Sequence, residues 1–172
     1  GAGFAPPIQR ASGESFANYG MIFPNGVRVR RTGDETGTTR RFWFEVDAKL
    51  LATARAMAPK VALAKCSGTL CFRAAPKVVV GGNGISGPVF MDNAEFRRYA
   101  FKTFAAQVTD METAAVGQVA YANGVPYIAF RALSDLAGGD PGENQAPAFY
   151  RIASDNTAKV VVAFIATVEV PR

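Results

Sequence analysis

The stretch Val125-Pro126-Tyr127-Ile128-Ala129-Phe130-Arg131-Ala132-Leu133-Ser134-Asp135-Leu136-Ala137-Gly138-Gly139-Asp140 decides how this chain is read. An apolar run that ends in an acid and a glycine-rich loop is the pattern of a buried strand followed by a turn. It puts Asp135 at the C-terminal edge of that strand. Open α/β sheets bind ligands in the crevice outside those edges, so a carboxylate there is placed for chemistry. The plainer reading is that Asp135 caps or braces the loop Leu136-Ala137-Gly138-Gly139.

Upstream, Asp110 to Asn123 is an alanine-rich helix closed by Gly124, and Gln107-Val108-Thr109 before it is a short strand. Asp92-Asn93-Ala94-Glu95 opens another helix as a capping box, carrying Phe96, Tyr99, Ala100 and Phe104 inward. Lys77-Val78-Val79-Val80-Gly81 reads as a buried strand. Asp47 caps a helix with apolar positions at Leu50, Leu51, Ala54 and Met57, stopped by Pro59. Downstream, from about Ala148, helical spacing returns at Phe149, Ile152, Ala153, Val160, Ala163 and Phe164. Helices alternating with apolar strands predict an α/β layer architecture.

With 172 residues and 49% hydrophobic composition, the chain has material for one sizeable core, and 1–172 reads as a single domain. No apolar run reaches the roughly eighteen residues of a membrane span. The net charge of +5 gathers at Arg28, Arg30, Arg31, Arg40 and Arg41. Because Val27-Arg28-Val29-Arg30 alternates, a turn follows at Thr32 to Gly37, and Arg41-Phe42-Trp43-Phe44 returns, the cluster reads as the solvated face of a β-hairpin, not a nucleic-acid surface.

The chain has no histidine, which removes Ser-His-Asp catalysis and most transition-metal sites. Cys66 and Cys71 can close a small loop as a disulfide or stand as two separate thiols; the disulfide is favoured and points to an oxidising compartment, periplasmic or secreted, with the cytoplasm as the alternative. Gly82-Asn83-Gly84-Ile85-Ser86-Gly87 matches the dinucleotide fingerprint in letters. However, Pro88-Val89-Phe90 separates it from the next helix, so the N-terminus that should face a pyrophosphate is not there. Thr109 and Glu112 fit a capping box, a structural role to be weighed against any functional one for Glu112.

Three motifs in order carry a resemblance: Ser86-Gly87-Pro88-Val89-Phe90, Asp110-Met111-Glu112-Thr113-Ala114-Ala115, and Val125 through Asp135. Together they resemble the purine nucleoside phosphorylase and nucleosidase family. Within it the chain looks most like methylthioadenosine/S-adenosylhomocysteine nucleosidases and the related bark-storage proteins, whose wording Arg131 to Gly139 follows closely. That storage branch also carries a cysteine pair ahead of the Gly84 loop.

The resemblance implies a three-layer α/β/α sandwich with a central mixed sheet of the nucleoside phosphorylase type. It also implies cleavage of the N-glycosidic bond of purine nucleosides, by hydrolysis or by phosphorolysis with inorganic phosphate as co-substrate, and no metal or redox cofactor. Asp135 would be the general acid to the leaving purine, oriented by Ser134. Glu112 would bind the ribose hydroxyls with Met111 packing on the sugar, Phe90 would stack on the base, and Arg131 would lie near the water or phosphate. A dimer or hexamer is expected, and a storage or nucleoside-binding protein without turnover is the alternative.

Two departures stand out. Pro88 replaces a usual Asp, and Asp110 a usual Glu. Gly1-Ala2-Gly3-Phe4-Ala5-Pro6 resembles the end of the family's glycine-rich phosphate or water loop, so the N-terminal strands of the family domain are expected to be missing from these residues.

Overall fold

A computed structural model describes Ile8–Gln9, residues 15–139 and residues 146–168. Asp140 and the Gly1 to Pro6 segment singled out above lie outside the described residues. The order is β1 (Ile8–Gln9), β2 (Ser15–Phe16), β3 (Val27–Val29), β4 (Thr39–Arg41), α1 (Ala48–Met57), a 3₁₀ turn (Ala58–Lys60), β5 (Cys66–Ser67), β6 (Leu70–Cys71), β7 (Asn83–Ser86), α2 (Ala94–Phe104), β8 (Ala106–Asp110), α3 (Thr113–Asn123) and α4 (Ala146–Ile165). The fold is α/β. Among the described residues the ladders are two-stranded: β1–β2, β3–β4 and β5–β6 are antiparallel, and β7–β8 is parallel.

The chain divides into two compact units. The first holds residues 1–45 and 82–125. Its rings gather around Phe16, which lies 5.1 Å from Phe42 and 5.0 Å from Phe104, while Tyr99 packs on Tyr19 and donates its hydroxyl to the Ala17 carbonyl at 2.7 Å. The basic hairpin forms in the expected place, with Val27 opposite Arg41 and Val29 opposite Thr39. Two of its arginines are not simply solvated. Arg31 and Arg41 lie over the Tyr121 ring of α3 at 5.4 and 4.9 Å, and the Thr32 amide donates to the Ala122 carbonyl.

The second unit holds residues 46–81 and 126–172. Asp47 caps α1 as expected, its carboxylate accepting from the Lys49 and Leu50 amides at 2.9 Å. Ala54, Met57 and Ala58 form a core with Phe164 of α4, onto which Leu50, Val61, Val78, Val80, Ile128, Phe130 and Ala163 pack. Asn156, buried in α4, closes a two-way bond with Ala64, donating to its carbonyl at 2.9 Å and accepting from its amide at 2.8 Å. Cys66 and Cys71 are joined as a disulfide across the β5–β6 hairpin, where they are register partners.

Three local expectations are corrected. Neither Lys77–Gly81 nor Val125–Arg131 belongs to a ladder; the strand near the first is Asn83–Ser86, inside the stretch expected to be a loop. Both segments still turn alternate, half-buried residues onto the core, Val78 and Val80 in one and Ile128 and Phe130 in the other, as an extended chain with one side on a core does. The α2 cap is Asn93, whose side-chain oxygen accepts from the Phe96 amide at 2.8 Å, so the capping box starting at Asp92 is displaced by one residue.

Candidate functional site

The first unit contains the arrangement the sequence assigned to Asp135: two parallel strands whose C-terminal ends carry polar groups. In the register of β7 and β8, Ser86 stands opposite Asp110, the last residue of each strand. The glycine series therefore runs through a strand and not around a strand–helix turn, and α2 starts only at Ala94. Immediately beyond Asp110 come Met111, Glu112 and the first turn of α3.

Asp110 organises this corner. Its Oδ1 accepts from the Ser86 hydroxyl, from the Glu112 amide at 3.3 Å and from the Thr113 amide at 3.1 Å, and its Oδ2 accepts from the Thr113 hydroxyl. Ser86 Oγ in turn accepts from the Ala114 amide at 2.9 Å. The first amides of α3 are thus satisfied by residues at the ends of both strands. This corrects the capping box drawn from Thr109 to Glu112: Glu112 is itself the N-cap by position, and its side chain makes no capping bond. Met111 is exposed and half-open to solvent at 45%, and Phe90, in the loop between β7 and α2, is 57% exposed.

In the second unit, Ser134 and Asp135 are half-buried neighbours, and the Ser134 hydroxyl donates to Asp135 Oδ1 at 2.8 Å. The following glycines do make a tight turn. Gly138 has φ of +62°, the Gly139 amide donates to the Leu136 carbonyl at 2.6 Å, and a Cβ on Gly139 would lie 2.7 Å from that same oxygen. Only glycine fits such an approach without moving backbone. Arg131 is exposed. Phe90, Met111 and Glu112 thus belong to the first unit, and Arg131, Ser134 and Asp135 to the second.

Sequence reasoning missed the part played by Ser86 and Asp110. Both were quoted as motif letters. The local signal is limited to an alcohol and an acid on either side of one helix; that they meet depends on the parallel register of the strands they end.

The described residues form an α/β protein with polar and acidic side chains at the carboxyl ends of its parallel strand pair, the edge at which open α/β sheets bind ligands. Residues 12–166 match the Phosphorylase superfamily, and the chain belongs to that family. Its small sheets and four helices among the described residues are consistent with an α/β nucleoside phosphorylase fold, and the ladders there are two-stranded where a central mixed sheet was expected. The chain is similar to the 5′-methylthioadenosine/S-adenosylhomocysteine nucleosidase of Treponema pallidum (strain Nichols), 39% identical over 62 residues that make up 36% of this chain and 23% of the relative. It is also similar to the protein of that name from Staphylococcus aureus (strain JH9), 34% identical over 82 residues, 47% of this chain and 36% of the relative. The matches thus span well under half the length of these relatives. No solved structure matches the chain.

Proposed function

We propose that this chain takes part in cleaving the N-glycosidic bond of purine nucleosides. Departure of a purine builds negative charge on the base and positive charge on the ribose, so the reaction calls for an acid beside the base and a fixed carboxylate beside the sugar. Asp135 is the acid, protonating N7 of the leaving base, and Ser134 orients it. Glu112 accepts hydrogen bonds from the ribose hydroxyls, and Met111 packs on the sugar. Phe90 stacks on the base, and Arg131 serves the attacking water or phosphate. Because a carboxylate becomes more stabilising as the sugar becomes cationic, Glu112 binds the transition state more tightly than the substrate.

The observation that carries this reading is the place of Glu112. It stands two residues past the C-terminal end of a parallel strand pair, in a short connection whose backbone Asp110 holds. The nucleosidase names of the relatives support the substrate class. No metal or redox cofactor enters the reading, and inorganic phosphate is a co-substrate in the phosphorolytic version. The working form is a homo-oligomer, dimer or hexamer, and the Cys66–Cys71 disulfide favours a periplasmic or secreted location. Nucleic acid and membrane have no part in it; no helix among the described residues is long and apolar enough to cross a membrane.

A second reading, a storage or nucleoside-binding protein without turnover, is favoured by the wording of Arg131 to Gly139. Incubation with methylthioadenosine, adenosine and inosine, with and without phosphate, separates the two. Free base without phosphate identifies a nucleosidase, and base released only with phosphate identifies a phosphorylase. Nucleoside binding with no product supports the second reading and overturns the first.

A further inference from the structure

We infer that Asp110 is a positioning residue that holds Glu112 where it meets the sugar, with Ser86 as its anchor on the neighbouring strand. The inference rests on the reading of Glu112 as the ribose-binding carboxylate. Met111 and Glu112 bridge β8 and α3, a connection of two residues with no regular structure of its own. Such a segment is fixed by what binds its backbone. Here one side chain grips it from both sides: Asp110 ends β8, accepts the Glu112 and Thr113 amides, and takes the Thr113 hydroxyl on its second oxygen.

Ser86 ties that grip to the adjacent strand, donating to Asp110 and accepting from Ala114, so the start of α3 is pinned to the ends of both strands. Hydrogen bonds to a carboxylate are the stronger class, and those that Asp110 accepts from the Glu112 amide and from the Thr113 amide and hydroxyl reach the two residues at the start of α3. The carboxylate on this short side chain reaches the amides two and three residues ahead. Asp110 touches the backbone and hydroxyls around Glu112. Its effect on substrate passes through Glu112, and catalysis of this kind loses heavily from small misplacements.

The test measures recognition of the sugar without requiring turnover. Affinities are measured for free adenine and for a C-nucleoside analogue of adenosine, whose carbon–carbon glycosidic bond does not cleave, and their ratio reports the ribose contribution. Asp110→Ala and Glu112→Ala are each expected to lower that ratio about 10-fold while leaving adenine affinity unchanged. The double variant is expected to fall no further than either single one, because both remove the same contact. If Glu112→Ala lowers the ratio and Asp110→Ala does not, or if the two losses multiply, the positioning role is overturned while the ribose role of Glu112 stands. If Glu112→Ala has no effect, the ribose role falls and this inference falls with it. Should Asp110→Ala lack a cooperative melt, Ser86→Ala carries the test: it removes the anchor bonds to Asp110 and to the Ala114 amide, and a ratio equal to that of the unaltered chain overturns the proposal.

Discussion

The Ser134 hydroxyl donates to one oxygen of Asp135 at 2.8 Å, and the turn that follows is so tight that Gly139 admits no side chain. One oxygen of the carboxyl is therefore oriented by its own neighbour. If Asp135 is the acid, loss of its proton-donating group and loss of its orienting group differ in scale. Asp135→Asn is expected to lower kcat on methylthioadenosine by about 10² to 10⁴, the usual worth of a general acid. Ser134→Ala removes one neutral hydrogen-bond donor and is expected to cost about 3- to 10-fold. Steady-state kinetics of both variants check this. Near-equal losses would mean that Asp135 acts as a brace for the loop and not as the acid.

At the scale of elements, the second unit is locked by one side chain acting as a piece of backbone. Asn156 presents its amide to Ala64 as a neighbouring strand would, one bond each way across 92 residues of sequence. Asn156→Ala leaves the Ala64 amide and carbonyl without those partners, and is expected to destabilise by about 1–3 kcal/mol in urea denaturation, with the midpoint falling and the slope unchanged. An unchanged midpoint would show that water replaces the pair without loss.

That bond was not legible in the sequence, whereas α1 was: Asp47, the spacing of Leu50, Ala54 and Met57, and Pro59 are local signals that no distant contact overrides. The hairpin from Val27 to Arg41 and the Gly124 helix stop were legible for the same reason. Strands are different. The apolar runs at Val78–Val80 and Ile128–Phe130 were legible as runs, but which of their side chains turn inward was not, and a ladder exists only through a partner, whose choice is a long-range property. Among the candidate residues, Asp135 was readable as an acid closing an apolar run, whereas Glu112 was singled out only through the family resemblance. The Ser86–Asp110 clamp was not legible, because it depends on the register between two strands separated by α2.

Across the whole molecule, the pH dependence of stability follows from which side chains are present and what folding does to them. The chain has no histidine, and its cysteines are paired, so neither of the side-chain types that titrate most readily near neutrality is available. Stability is therefore expected to stay level, within about 0.5 kcal/mol, from roughly pH 6 to 8. The edges belong to identifiable groups. Hydrogen bonds from the Thr36 hydroxyl and amide hold the Asp34 carboxyl below its usual range, helped by Arg30 and Arg31. That contribution is present above the ordinary carboxylate value and is lost as acid protonates Asp34 in the folded chain.

At the alkaline edge, burial raises the pKa of Tyr99, whose ring lies among Tyr19, Phe96 and Phe104 and whose hydroxyl reaches the Ala17 carbonyl. Below the ordinary tyrosine value of 10.0 the phenol is protonated in both states and its contribution is whole. Above it the unfolded chain ionises first, and stability declines until the folded chain ionises too. Tyr99→Phe should lower stability at pH 7 by about 0.5–1.5 kcal/mol, the worth of one hydrogen bond, and should also flatten the decline above pH 10. Urea denaturation of both proteins at pH 7, 9, 10 and 10.5 reads the two effects separately. A Tyr99→Phe profile parallel to that of the unaltered chain would assign the alkaline edge to other groups.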